Sequence, residues 1–175
     1  VVGGGPTGME AALLLSRRGH AVTLYEKDTR LGGLINATEG IDIKWTLVKF
    51  RDYLIYQIQK SAVDVKLGTP ADPTMLRTEG YDEVVVAIGS EPLYPSIPGI
   101  HGDNVIPAVD TVAKEPDMGH EVVVVGGGEI GVEMGLHLAK HCHAVTLLEM
   151  GPVLSPESVP VHFRSLFERA WETQE

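Results

Sequence analysis

The chain has one cysteine, Cys142. A single thiol excludes an intrachain disulfide framework, and any zinc or iron–sulfur site built from several cysteines of this chain. No run of about 18 apolar residues occurs, so no membrane-spanning helix is expected. No basic stretch followed by an apolar one opens the chain, so no secretory signal peptide is visible. A cytoplasmic protein is the expectation. Positive charge is also scarce: 14 Lys and Arg face 24 Asp and Glu, a net charge of −10. That is the wrong balance for wrapping a nucleic-acid backbone. Apolar residues are plentiful at 43%, enough for a packed core and too many for bulk disorder. A length of 175 residues gives room for one ordinary domain or parts of two small ones.

An internal repeat divides the chain. Shifted by 123 positions, Val1–Glu26 falls on Val124–Glu149, and 15 of those 26 positions are identical. Both copies begin Val-Val-Gly-Gly-Gly and end Ala-Val-Thr-Leu-x-Glu. Repetition alone does not separate two ligand-free βαβ units from two nucleotide-binding ones. The content of the repeat does.

The first copy contains Gly3-x-Gly5-x-x-Gly8, the second Gly126-x-Gly128-x-x-Gly131. Each follows an apolar strand and opens an apolar helix, the context that gives this motif its meaning. Gly3 and Gly126 make the tight turn. Gly5 and Gly128 let the backbone approach a pyrophosphate. Gly8 and Gly131 let helix and strand pack closely. The pyrophosphate then sits on free N–H groups at the helix N-terminus. Glu26 and Glu149 each end the next strand, 23 residues after the first motif glycine, close to the spacing of a ribose-binding carboxylate. Glu149 is followed by Met150 and Gly151, which offer no cation to a 2′-phosphate. The second copy should therefore prefer NADH over NADPH.

The rest of the chain reads as an α/β pattern. Thr7–Arg18 is expected to be a helix burying Ala11, Ala12, Leu13, Leu14 and Leu15, with Gly19 at its C′ position. A loop follows over Lys27–Leu34. Residues from Lys44 to Lys60 form a second helix with an apolar face of Leu47, Val48, Phe50, Leu54, Ile55 and Ile58. Trp45 and Phe50 read as core or as cover for a flavin. Val63–Leu67 alternates like a strand. Asp82–Gly89 reads as a buried parallel strand ending in a turn, and Pro92, Pro95, Pro98 and Pro107 mark an extended connector. Glu121–Val125, Glu129–His141 and Val145–Leu148 form the second βαβ unit. Val161 to about Thr173 reads as an amphipathic helix packed on the adjoining sheet. His141-Cys142-His143 is not expected to bind metal, because adjacent residues at a helix end rarely converge on one ion. Glu10 and Glu133 occupy matching places, either as carboxylates at helix N-termini or as cofactor contacts.

Taken together, these segments resemble the flavin and pyridine-nucleotide half of the 2,4-dienoyl-CoA reductase, 2-enoate reductase and trimethylamine dehydrogenase group, the long relatives of old yellow enzyme. The resemblance rests on Val2–Ala12, Arg30-Leu31-Gly32-Gly33, Tyr81–Pro92, Ile97-Pro98-Gly99 and Val125–Glu133, in that order. It implies tandem Rossmann-like dinucleotide-binding folds. An FAD-binding domain would span residues 1–110, and the start of an NAD(P)H-binding domain residues 111–175. Gly3, Gly5, Pro6, Thr7 and Gly8 would line the FAD pyrophosphate, and Glu26 would hold the adenosine ribose. Arg30, Gly32 and Gly33 would pass beside the cofactor, with Arg30 a phosphate partner. Ala87 and Gly89 would mark the crossing back from the FAD sheet. Gly126, Gly128, Glu129, Ile130, Gly131 and Glu149 would form the NADH site.

The same resemblance implies an electron-input module. NADH would pass a hydride to FAD, and electrons would leave toward FMN and a [4Fe–4S] centre in a fused barrel that also holds the substrate. Positioning rather than acid–base chemistry does this work, so no catalytic side chain is expected. Relatives carry a later strand ending in Gly-Asp and further strands in the nicotinamide domain. Their absence here, with a start inside a strand at Val1-Val2, leads to the expectation of a fragment with both folds incomplete. Such a chain exposes apolar sheet face, which its missing half or a homo-oligomer would cover. Two other readings stand beside this one. The first is another two-dinucleotide-domain flavoprotein, such as a glutamate synthase small subunit or a ferredoxin reductase. The second is a non-catalytic nucleotide-binding remnant.

Overall fold

The structure is a computed structural model that describes residues 1–114, 117–141, 143–154, 165, 169 and 170. The chain divides into two units. Unit 1 comprises Val1–Glu39 and Lys44–Leu93, and unit 2 comprises Gly40–Ile43 and the chain from Tyr94 onward.

In unit 1, helix α1 (Pro6–Arg17) starts on Gly5, carries Pro6 in its first turn and has Arg17 in its last. Proline there loses no hydrogen bond, and the cation suits the negative helix end. Gly8, Met9, Ala12 and Leu13 form its buried stripe. Leu14, expected inside, is 48% exposed. A run of five apolar residues cannot share one face at 3.6 residues per turn. Strand β1 (Thr23–Tyr25) pairs in parallel with β2 (Asp64–Lys66), Leu24 opposite Val65. Helix α2 (Trp45–Gln59) makes the connection and buries Arg51, Leu54 and Ile58. Trp45 and Phe50 lie on its exposed side, not in the core.

Val2 bridges Tyr25 on one side and Val86 on the other, both in parallel. The order across the sheet is therefore β2, β1, Val2, Val86. Met9, Ala12, Leu13, Val22, Leu24, Leu31, Leu54, Ile58 and Val63 make the core beneath it. The Tyr25 hydroxyl hydrogen-bonds the Tyr81 hydroxyl at 2.8 Å. That bond, with burial, pushes the Tyr25 phenol up to about 12.

The segment Asp82–Gly89 corrects the expectation of a buried strand. Among the described residues it is held on one edge only, by Val2 N–H to Val85 O at 2.9 Å and Ala87 N–H to Val2 O at 2.8 Å. Val86 and Ile88 are 66% and 72% exposed. Its apolar run is the pattern of a strand covered on both faces, but no described element of this chain lies over them. A short helix, α3 (Pro73–Glu79), precedes it.

In unit 2, β3 (Glu121–Val125) and β4 (Ala144–Leu148) pair in parallel, with Val123 opposite Thr146. Helix α5 (Glu129–Lys140) connects them. Val122, Val124 and Val145 pack on its Met134 and Leu138 together with Ile41. Val123, Val125 and Leu148 point the other way and are exposed, so this sheet has one covered face. Helix α4 (Ala108–Lys114) lies earlier in the unit. Lys140 pairs with Asp42 at 2.9 Å and fastens residues 40–43 to α5. Among the described residues, no helix is long and apolar enough to cross a membrane. Most of the expected C-terminal helix lies outside the described residues.

Both units thus show a parallel strand pair flanked by helices, each in the arrangement of an incomplete Rossmann-like fold.

Candidate dinucleotide sites

The glycine turns of the two units have matching geometry. Gly3 and Gly126 sit at φ of +107° and +109°, a conformation that costs a residue with a Cβ. A Cβ on Gly8 would land on the carbonyl oxygen of Gly3, and one on Gly131 on that of Gly126. In each unit the helix crosses its own turn in contact with that carbonyl.

Gly5 and Gly128 differ in kind. They cap α1 and α5 at φ of −73° and −70° with extended ψ, and no side chain caps either helix. Any residue adopts that conformation. Among the described residues, a Cβ on Gly5 would meet only the Gly33 Cα, at 3.8 Å, and one on Gly128 would find nothing within 4 Å. Neither backbone strain nor packing accounts for glycine at these positions. An open cradle in front of uncapped helix N–H groups suits the diphosphate of a dinucleotide, and the residues present fit such a group.

The two glutamates close each turn. Glu26 is 5% exposed. Its Oε2 accepts the Gly4 N–H at 2.6 Å and its Oε1 the Asp28 N–H at 2.8 Å. Glu149 repeats the pattern, with Oε2 accepting from Gly127 at 2.7 Å and Oε1 from Gly151 at 2.6 Å. Each carboxylate therefore ties its strand end to the middle glycine of its turn, a role that spacing did not reveal. Each oxygen keeps lone pairs for further donors such as ribose hydroxyls.

The Gly151 and Gly127 amides hold the Glu149 carboxyl below the usual carboxylate range. A carboxyl lowered in the folded state stabilises that state above its unfolded pKa, about 4.3. The contribution is lost as pH falls through the folded value. Thermal melts from pH 7 to 3 should show Glu149→Gln less stable than the unsubstituted chain at neutral pH. The gap should close in acid; a gap that stayed constant would remove the carboxylate from this role.

The other expected site residues fall into groups. In unit 1, Gly32 N–H donates to Gly4 O at 2.9 Å. Gly33 lies against Gly5, and the Ala87 carbonyl lies where a Gly3 Cβ would be. Gly89 stands apart, with none of the described residues within 4 Å of its Cβ position. Pro6 and Thr7 form the first turn of α1. Arg30 donates to Glu39 at 2.9 Å. In unit 2, Glu129 and Ile130 open α5, Ile130 at 62% exposure. Glu10 and Glu133 part company: Glu10 is exposed and Glu133 is buried. Cys142 lies outside the described residues. His141 Nδ1 contacts the His137 carbonyl and His143 Nδ1 the Gly119 carbonyl, at 2.8 and 2.7 Å.

Sequence reasoning missed Arg51. It is 6% exposed on α2, bound to Asn36, Glu39 and Asp52. With Arg30 it lines a cleft of about 520 Å³ beside α2 and β2, clear of the glycine turn. Only a charged residue interrupting the apolar face of α2 signalled it.

Comparison with known proteins gives a consistent neighbourhood. The family model described as pyridine nucleotide-disulphide oxidoreductase matches residues 1–174. The chain is 38% identical over 165 residues to an NADH oxidase of Thermoanaerobacter brockii, covering 92% of this chain and 25% of that one. It is 36% identical over 168 residues to a bilirubin reductase of Mediterraneibacter gnavus, covering 96% and 26%. The solved 2-naphthoyl-CoA reductase in complex with 2-naphthoyl-CoA superposes with a TM-score of 0.93 at 31% identity, covering 99% of this chain and 26% of that one. The chain thus spans about a quarter of the length of these relatives.

Proposed function

The chain belongs to the pyridine nucleotide-disulphide oxidoreductase family, and we propose that it carries the two dinucleotide sites of a larger NADH-dependent flavoprotein. Unit 1 would hold FAD, with the diphosphate before Gly5 and the adenosine ribose on Glu26. Unit 2 would hold NADH, with Gly128 and Glu149 in the same roles. Bound FAD would supply a two-electron acceptor for the nicotinamide hydride. The chain's own residues bind and orient: open glycines admit the backbone to the phosphates, and each glutamate holds its turn in shape while offering lone pairs to a ribose.

The carrying observation is the pair Gly5 and Gly128, glycines that neither φ nor packing among the described residues demands. The finer reading follows the resemblance. The module would feed electrons to FMN and a [4Fe–4S] centre in a barrel elsewhere in the polypeptide, where an enoate or dienoyl-type substrate would be reduced. The neighbouring NADH oxidase and 2-naphthoyl-CoA reductase support that direction.

The test is anaerobic mixing of the FAD-saturated protein with NADH or NADPH. Loss of the oxidised flavin absorption band with NADH, and much more slowly with NADPH, is expected. A flavin that binds yet is reduced by neither nucleotide would contradict the electron-input role.

A further inference from the structure

Arg51 sits where the pattern of α2 asks for an apolar side chain. The helix buries positions 51, 54 and 58, and two of these are Leu54 and Ile58. Burying a guanidinium is costly even when it is paired, and an apolar residue of similar volume often serves stability as well. The arrangement around Arg51 has a different use. Its Nη1 donates to Asn36 Oδ1 at 3.0 Å and its Nη2 to Glu39 Oε1 at 2.9 Å. Asn36 in turn donates from Nδ2 to the Leu31 carbonyl at 3.2 Å. The other oxygen of Glu39 accepts from Arg30. Asp52 Oδ1 receives Nε and Nη2 at 3.0 and 2.8 Å and fixes the plane of the fork.

All these acceptors except Asp52 belong to the loop that follows β1 and packs against the glycine turn. Residues Gly33–Thr38 form a 3₁₀ helix, an element with weak hydrogen-bond geometry of its own. At its start, Gly32 is pressed so closely on the Arg51 stem that a Cβ there would lie 2.6 Å from Cδ. Gly32 also donates to Gly4 O, and Gly33 lies against Gly5. The chain from Gly32 to Glu39 therefore rests on the glycine turn at one end and on Arg51 along its length.

We propose that Arg51 is a positioning residue that fixes residues 32–39 against the glycine turn and so shapes one wall of the unit 1 dinucleotide site. The effect on FAD rests on the reading of unit 1 given above; the hold on the loop does not. Lysine cannot replace the fork, because a single ammonium does not span Asn36 and Glu39 with fixed geometry.

The test uses the 175-residue chain with Arg51→Met, Arg51→Lys and Asn36→Ala. Hydrogen exchange of the FAD-free protein is read first. Faster exchange at residues 33–39 in both Arg51 variants, with α1 and β1 protection retained, is the expected result. FAD titration should then give a Kd raised about tenfold or more. Adding Asn36→Ala to Arg51→Met should cost little further, since both cut one path. Unchanged loop protection in both Arg51 variants overturns the proposal. So does an equal loss of protection throughout unit 1 in all three variants, which would make Arg51 a general stabiliser. If the unsubstituted chain takes no FAD, the proposed function of unit 1 fails, and the exchange data alone decide the role of Arg51.

Discussion

Gly8→Ala should lower the melting temperature of unit 1 by about 10 °C or more, while Gly5→Ala, three residues earlier, should leave it unchanged. The added methyl at position 8 has no free space, since it falls on the Gly3 carbonyl oxygen. That atom is main chain in a turn already at positive φ and cannot swing aside as a side chain would. Either α1 lifts from the sheet or the turn opens. Overpacking of this kind costs about 3 kcal/mol, which in a domain of this size is a shift of ten degrees or more. At position 5 the methyl meets one atom at ordinary contact distance and the backbone is unstrained. The loss there should be of ligand: the cradle that admits a diphosphate is filled. Differential scanning calorimetry with parallel FAD titration separates the two effects. Equal destabilisation by both substitutions would mean that Gly5 serves the fold.

The second large effect is expected at Glu149. Glu149→Arg should reverse nucleotide preference, shifting the NADH-to-NADPH ratio of Kd values by about a hundredfold. The carboxylate repels a 2′-phosphate, and Met150 and Gly151 bring no compensating cation. The substitution also removes the acceptor for the Gly127 and Gly151 amides, so part of the NADH loss should come from a loosened turn. Glu149→Gln separates the two contributions. It keeps the shape and a neutral acceptor, and should weaken NADH without creating affinity for NADPH. A Glu149→Arg protein that discriminates as before would remove this residue from the ribose site.

Much of the fold was legible because it is written in short-range patterns. The 123-residue repeat, the glycine spacing and the strand ends at Glu26 and Glu149 all depend on neighbours in sequence. The turn and packing roles of Gly3 and Gly8, and of their counterparts in unit 2, appear as the motif implies. What escaped depends on partners far along the chain. Val84–Ile88 has the composition of a covered strand, yet composition does not say whether this chain supplies the cover. Phe50 and Trp45 fall outside the buried 51, 54, 58 stripe of α2, which an apolar count over the helix blurs. Arg51 escaped because its acceptors, Asn36 and Glu39, are 15 and 12 residues away. Helix α3 was passed over although Asp72, Pro73 and Gly80 carry start and stop signals. The Asp72 carboxylate accepts the Thr74 and Met75 amides at 2.7 and 3.0 Å. Seven residues are too few to show a period. That Gly40–Ile43 would join unit 2 follows from Ile41 and Asp42 meeting α5, a contact across about a hundred residues.

The most direct measurement is a titration of FAD and NADH separately into three proteins: the unsubstituted chain, Gly5→Ala and Gly128→Ala. Two separate sites, one on each glycine turn, require that Gly5→Ala lose FAD and keep NADH, and that Gly128→Ala lose NADH and keep FAD. Loss of both ligands in both variants, or of neither in either, would contradict the assignment of one dinucleotide to each unit.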